Sequence, residues 1–408
     1  MSQNESPALL AVQQVPADAA ELTRVLAPAR KSAKWRSWTA KVLLLVFSLT
    51  FCLEFGTRIA LSIGPVRRRM TGFDNSSYRL QWIGLHRIHR EWTGEYAVYH
   101  PTRGWALKPD IKSMSVFDGK VLNSNSKGLR GKAEYAYQRT PGTRRIVVLG
   151  DSFTFGEEVS DDETYAHYLE AALPSTEVLN LGVQGYGHDQ MLLYLKEEGV
   201  KYRPDIVIVG FASLDIYRNA WTFFAYAKPK FNLVSGQLEL TNVPVPTPAT
   251  VLAQEPYRSK AVDLLVMLRE KVRGGLGENE TEARKLTVAI LDEIVATTRS
   301  IGAVPVIVDM PVYDEINNAS VSMSGLEQYL HQYCQERGIA CPFLRPRFRE
   351  EVKKGANFNS RGHWSPEAHK LAAEEIEDFL VKDSSFLGVA SARNVRSGSP
   401  MSLARQPQ

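Results

Sequence analysis

A chain of 408 residues, 44% hydrophobic and 23% charged, can bury one large core and leaves material over for extensions at both ends. The formal net charge of +4 is small for this length, and much of the basic excess falls between residues 24 and 69, so nucleic-acid binding is not indicated. Three cysteines exclude a disulfide framework; Cys334 and Cys341, seven apart, would pair only in an exported domain, and two separately buried thiols are the simpler expectation.

Residues 1–41 read as a flexible basic tail without a sustained pattern. It closes on Lys34-Trp35-Arg36-Ser37-Trp38-Thr39-Ala40-Lys41, a basic and aromatic flank of the kind that sits at a membrane surface. From 42 to 63 the chain is almost wholly apolar and, at about 1.5 Å per residue, long enough to cross a hydrocarbon core of about 30 Å. Glu54 and Arg58 interrupt it, four apart with the acid first, so on a helix they share a face and pair. A soluble core helix rarely carries an uncharged run such as Val42 to Leu53 between basic flanks, and a single transmembrane anchor is predicted. The polar leader and the lack of a small-x-small cleavage site favour a retained anchor over a removed signal peptide. Arg24, Arg30, Lys31, Lys34, Arg36 and Lys41 precede the segment and Arg67, Arg68 and Arg69 follow it, which favours a cytoplasmic tail and an extracytoplasmic main domain.

Residues 64–140 form an aromatic and basic lead-in with Trp82, His86, His89, Trp92, His100 and Trp105. No third ligand accompanies His86 and His89 at a supporting spacing, so they read as solvated or stacking rings, and no metal is expected. From 141 to 383 the chain alternates as a parallel α/β sheet requires. Strands are predicted at Arg145 to Leu149, Glu177 to Leu181, Asp205 to Phe211, Val304 to Asp309 and Ala340 to Leu344. Helices are predicted at about 162–173, 187–198, 280–301 and 323–337, which suits a flavodoxin-like strand order of 2-1-3-4-5. Ser365 as N-cap and Pro366 at the first position announce a last helix, with Ala372, Ile376, Phe379 and Leu380 on its apolar face. An insertion at 220–278 opens on Trp221, Phe223, Phe224 and Tyr226 and continues into a β-hairpin over Phe231 to Leu240. It leaves the sheet at a strand's C-terminal end, where it can wall a site, act as a packing lid or offer a partner surface. Residues 384–408 read as a disordered tail.

The chemistry centres on Arg145-Ile146-Val147-Val148-Leu149-Gly150-Asp151-Ser152-Phe153. A buried strand stops at Gly-Asp-Ser and a helical pattern follows through Leu169, so Ser152 stands at a strand-to-helix turn. Such a turn at the carboxyl edge of an open sheet suits a nucleophile, because helix N–H groups there meet developing negative charge. A serine that merely caps the helix fits the local pattern equally well.

Three stretches carry a resemblance: Gly150-Asp151-Ser152-Phe153, Val178-Leu179-Asn180-Leu181-Gly182-Val183-Gln184-Gly185, and Gly362-His363-Trp364-Ser365-Pro366-Glu367-Ala368-His369. In family order they resemble the blocks of the SGNH (GDSL) hydrolases, serine esterases and acyl-handling enzymes with a three-layer flavodoxin-like fold. Arg103-Gly104-Trp105-Ala106-Leu107-Lys108-Pro109 and Asn125-Ser126-Lys127-Gly128-Leu129-Arg130-Gly131 are similar to the lead-in of membrane-anchored bacterial members. The resemblance implies Ser152 as nucleophile, His363 as its base, and the N–H groups of Ser152 and Gly185 as oxyanion donors. His369, on the helix, should point elsewhere, and His188 is the reserve base.

Two departures from the family pattern stand out. The Gly-x-Asn-Asp block reads Gly210-Phe211-Ala212-Ser213-Leu214-Asp215, with Leu214 in place of the asparagine, which leaves Ser213, Asn219 and Arg218 as candidates for a third donor. The aspartate expected three residues before the histidine is Ser360, which leaves Ser360, Asp309 and Asp215 as candidates to orient the ring. No phosphate or dinucleotide loop occurs and no cofactor is expected. The function implied is a membrane-anchored serine esterase that cleaves or transfers a short acyl ester, on a carbohydrate or cell-envelope polymer. The alternative is a non-catalytic SGNH-fold protein of envelope polysaccharide binding or assembly.

Overall fold

The computed structural model describes residues 33–86, 95–317 and 323–382; the expected tails up to residue 32 and from 384, with His89 and Trp92, lie outside them, while 33–41, expected as part of a flexible tail, are helical. The chain divides into two units, Met1–Gly64 and Pro65–Gln408. In the first, one helix runs Ala33–Ser62, starting before the apolar run because the basic flank is helical too. Its part Ser37–Ser62 is long and apolar enough to cross a membrane, a property shared with signal sequences. Arg58 Nε lies 2.7 Å from Glu54 Oε1, the pairing expected from their spacing.

In the second unit, four apolar runs form a parallel sheet: β1 Arg144–Gly150, β2 Thr176–Gly182, β3 Ile206–Phe211 and β4 Val304–Asp309. Their order is β4-β3-β1-β2, with Ile146 opposite both Val178 and Ile206, and Val306 opposite Ile208. This is the expected 2-1-3-4. The expected fifth strand is reduced to two parallel bridges, Val306 to Ala340 and Asp309 to Phe343. Pro342 brings a carbonyl to Asp309 N but no N–H to continue a ladder.

Both faces of the sheet are buried, which is why its strands read as unbroken apolar runs. Val147 and Leu149 point to one side, where His188–Glu197, Glu278–Ser300 and Gly325–Arg337 pack. Ile146 and Val148 point to the other, against Tyr165–Ala172 and the last helix, Pro366–Lys382. The result is a three-layer α/β fold. Cys334 and Cys341 form a disulfide, with Cα atoms 6.3 Å apart, and not the two separate thiols expected; the turn after Gly338 brings them together. The insertion holds the expected hairpin, Lys230–Val234 with Gln237–Thr241, and two helices that were not predicted, Pro248–Gln254 and Lys260–Gly275.

Candidate active site

At the carboxyl end of β1 the chain turns at Asp151, whose Oδ1 accepts from Phe153 N at 2.9 Å. Ser152 is the first residue of a single helical turn, Ser152–Phe155. The helical pattern expected to run on through Leu169 is broken by Gly156, left-handed at φ 85°, whose N–H donates to Ser152 O at 2.9 Å. Helix resumes only at Tyr165. The turn can lie flat on the sheet because β1 and β2 end in Gly150 and Gly182 and β3 carries Gly210 one residue before its end. A Cβ at any of the three would collide with Thr154 or the backbone beside it.

The histidine arrives on a hairpin and not on a plain loop. Asn359–Ser360 pairs with His363–Trp364 around Arg361 (φ 50°) and Gly362 (φ 98°), a two-residue turn with both central residues left-handed. Buried Trp364 fixes the hairpin: its Nε1 donates to Pro311 O at 3.0 Å and its ring packs 5.3 Å from that of Phe153. His363 Nε2 then lies 2.9 Å from Ser152 Oγ, across 211 residues of sequence.

Gly185 is the third residue of a tight turn closed by Tyr186 N to Val183 O at 3.2 Å, and its φ of +73° suits glycine there. Neither the Ser152 nor the Gly185 N–H has a backbone acceptor among the described residues. Phe224 of the insertion and Trp105 of the lead-in crowd Gly185: a Cβ there would meet Phe224 Cε1 at 3.1 Å and Trp105 Cζ2 at 3.5 Å.

The other two histidines weighed are buried inside the fold. His369 Nδ1 accepts from Tyr165 N at 3.2 Å, and His188 Nδ1 lies 3.2 Å from Asn219 Nδ2. Burial pushes the pKa of each down to about 3.

The candidates for a third donor separate. Asn219 is committed to His188, Thr287 and the Asp189 N–H, so its amide is not free for a substrate oxygen, while Ser213 is buried near the Glu315 carboxyl. Arg218 Nη1 lies 3.0 Å from Asp151 Oδ2 and 3.1 Å from Tyr186 O, against the neighbours of both candidate oxyanion donors. Leu214 is exposed.

None of the candidates for the orienting group bonds the far ring nitrogen of His363, Nδ1. Asp215 bonds Arg218 Nη1 at 2.5 Å, and its carboxyl is raised well above the ordinary range by burial and then by Asp151. Asp309 is buried among Glu315, Glu327 and Arg345. Ser360 faces His363 only as its backbone pair. His363 Nδ1 has no hydrogen-bond partner among the described residues. A carboxylate stands instead on the other side of the ring, Glu157 Oε2, 3.5 Å from Nε2.

Two side chains that shape this site were not singled out by the sequence. Glu157 was hidden in a Glu-Glu pair that reads as surface. Arg130 lies in the lead-in and has a fully buried side chain. Its Nη1 donates to Phe155 O and Gly156 O at 2.6 and 2.5 Å, its Nη2 to Val159 O at 2.6 Å, and its Nε to Asp161 Oδ1 at 3.0 Å. It closes the C-terminal end of the nucleophile turn. Its position in the family-like Asn125–Gly131 piece was the available signal.

The sequence profile of the GDSL-like Lipase/Acylhydrolase family matches residues 148–371, more than half of the chain. Among solved structures, a lipolytic protein of the G-D-S-L family from Desulfitobacterium hafniense is 14% identical, covering 58% of this chain and 100% of that one at a TM-score of 0.36. An acetylxylan esterase from Geobacillus stearothermophilus is 15% identical, covering 58% and 94% at a TM-score of 0.36. No curated protein matches the chain. With a Gly-Asp-Ser turn and a family match that runs from the end of β1 into the last helix, the chain belongs to the GDSL-like lipase/acylhydrolase family and is an SGNH-type ester hydrolase.

Proposed function

We propose that this protein is a membrane-anchored serine esterase in which Ser152 attacks a short acyl ester and His363 is the general base. The 2.9 Å contact between Ser152 Oγ and His363 Nε2 carries this reading. As Oγ bonds to the ester carbonyl carbon, its proton moves to Nε2. The same proton then passes to the leaving alkoxide, freeing an alcohol and leaving Ser152 acylated. Water, or a sugar hydroxyl in a transferase, repeats the steps in reverse and releases the acyl group. The N–H groups of Ser152 and Gly185 meet the tetrahedral oxyanion, and Arg218, beside both, adds a charged third donor in place of the family's asparagine.

A short acyl group suits the crowding of Gly185 by Phe224 and Trp105. A carbohydrate or cell-envelope polymer as its carrier rests on the anchor: an enzyme fixed at a bilayer by Ser37–Ser62 meets substrates displayed at that surface. An extracytoplasmic catalytic domain is supported by the basic excess ahead of the anchor and by the Cys334–Cys341 bond, which persists in oxidising compartments. The test is a fluorophosphonate probe on the full chain: wild type is labelled and Ser152→Ala is not. Failure of the wild type to react would overturn the reading. Acetyl release with and without a glycan acceptor then separates hydrolysis from transfer.

A further inference from the structure

A serine-bound imidazole turns positive when it takes the serine proton, and a carboxylate commonly holds its far nitrogen while that charge exists. Here the far nitrogen, His363 Nδ1, is buried and has no partner among the described residues. Asp215 bonds Arg218, Asp309 is buried among Glu315, Glu327 and Arg345, and Ser360 meets His363 only as its backbone pair. The near nitrogen has two neighbours, Ser152 Oγ at 2.9 Å and Glu157 Oε2 at 3.5 Å.

We propose that Glu157 is the positioning acid of this site: its carboxylate faces Nε2, steadies the ring toward Ser152 and stabilises the imidazolium from the side on which it gains its proton. The proposal rests on the Ser152 and His363 reading above. Glu157 neither gains nor gives a proton in it; the proton travels from Oγ to Nε2 and on to the leaving oxygen, and the carboxylate supplies charge alone.

Glu157 is placed for this by its backbone and by its side chain. Its N–H donates to Ser152 O at 3.0 Å, so the acid is referenced to the nucleophile's own peptide. Its carboxyl stands near the side chain of Gln184, the residue before Gly185, which lowers the cost of its charge. At 3.5 Å the pair is too long for a strong hydrogen bond in the resting site. Charge on the ring strengthens it, and stabilisation that grows as the reaction proceeds is what lowers a barrier.

The other groups facing the pair do not substitute for it. Asp151 is neutralised by Arg218, and Arg361, on the histidine's hairpin, is paired with Asp118. Glu158 adds a like charge to Glu157, His369 from the last helix stays neutral, and Tyr96 keeps its proton, raised to about 12 by burial. Burial raises the Glu157 carboxyl above the ordinary range, and the His363 charge pulls it back down, the reciprocal of the effect proposed.

The test compares the full chain with Glu157→Gln and Glu157→Asp, reading kcat, KM and the pH profile of ester hydrolysis, with the His363 ring signal followed by NMR through the same pH range. Expected for Glu157→Gln are a 10- to 100-fold loss in kcat at near-constant KM, an acid limb of kcat/KM displaced to lower pH, and a His363 titration midpoint displaced the same way; Glu157→Asp recovers part of each. A kcat within twofold of wild type with limb and midpoint unmoved would overturn the proposal. A wild type inert to substrate whose His363 midpoint still falls on Glu157→Gln would overturn the hydrolase reading and leave the charge pairing standing.

Discussion

Asp309 ends β4 with its carboxyl buried, and its Oδ2 has no hydrogen-bond partner among the described residues. Burial raises its pKa well above 3.8, Glu315 and Glu327 add to the rise, and Arg345 offsets only part of it. An acid raised in the folded state binds its proton better there than in the unfolded chain. The stability it contributes is therefore complete below about 3.8 and is lost as pH climbs toward the folded value. Asp309→Asn removes that titration while keeping the shape. We expect the variant to exceed wild type in stability at pH 8 and to lose that advantage near pH 4. Urea melts at the two pH values check this; an Asn variant weaker than wild type at pH 8 would mean the carboxyl is held ionised after all.

At the scale of elements, the nucleophile turn is held from outside the sheet. Arg130 carries four hydrogen bonds into three carbonyls and Asp161, and Arg130→Met would leave the carbonyls of Phe155, Gly156 and Val159 short of a donor in a buried place. A loss of about 3 kcal/mol is expected by denaturant unfolding, with Arg130→Lys recovering less than half, since one ammonium cannot reach the fork of acceptors. Nothing in the sequence tied residue 130 to residue 155, because that contact is tertiary. The four strands were legible because burial on both faces leaves an apolar run, and the fifth was over-read because Pro342 sits inside it. Lys260–Gly275 escaped notice for the opposite reason: Ala261 and Met267 are buried while Val262, Leu265 and Leu268 are exposed, so no one-sided pattern marks it. The Ser152 and His363 stretches were found by likeness to known blocks. Which acid faces the ring was not legible, since Asp215, Asp309 and Glu157 all lie near sheet edges in sequence and only packing separates them.

Across the whole molecule, His188 and His369 lie in helices on opposite faces of the sheet, and both are fully buried. Each has its pKa pushed down to about 3, by burial first and by a nearby arginine second. The folded chain therefore refuses a proton that the unfolded chain accepts near 6.5. A depressed folded pKa contributes stability that is present above about 6.5 and is lost as pH falls toward 3, a loss of about 2 kcal/mol for each histidine by pH 5. Two such losses are a large share of the roughly 5–15 kcal/mol that holds a domain together. Raised carboxyls such as Asp309 and Asp215 act the other way below neutrality, regaining stability as they approach their protonated form, so they soften the descent. The chain should still lose stability steeply between pH 7 and pH 5. His369→Asn keeps an acceptor for the Tyr165 N–H at 3.2 Å and cannot take up a proton, so it should be weaker than wild type at pH 7 and fall by about 2 kcal/mol less on the way to pH 5. Denaturant melts at pH 7 and pH 5 read the difference directly, and an equal fall in wild type and His369→Asn would show that this buried ring does not set the acid limit of the fold.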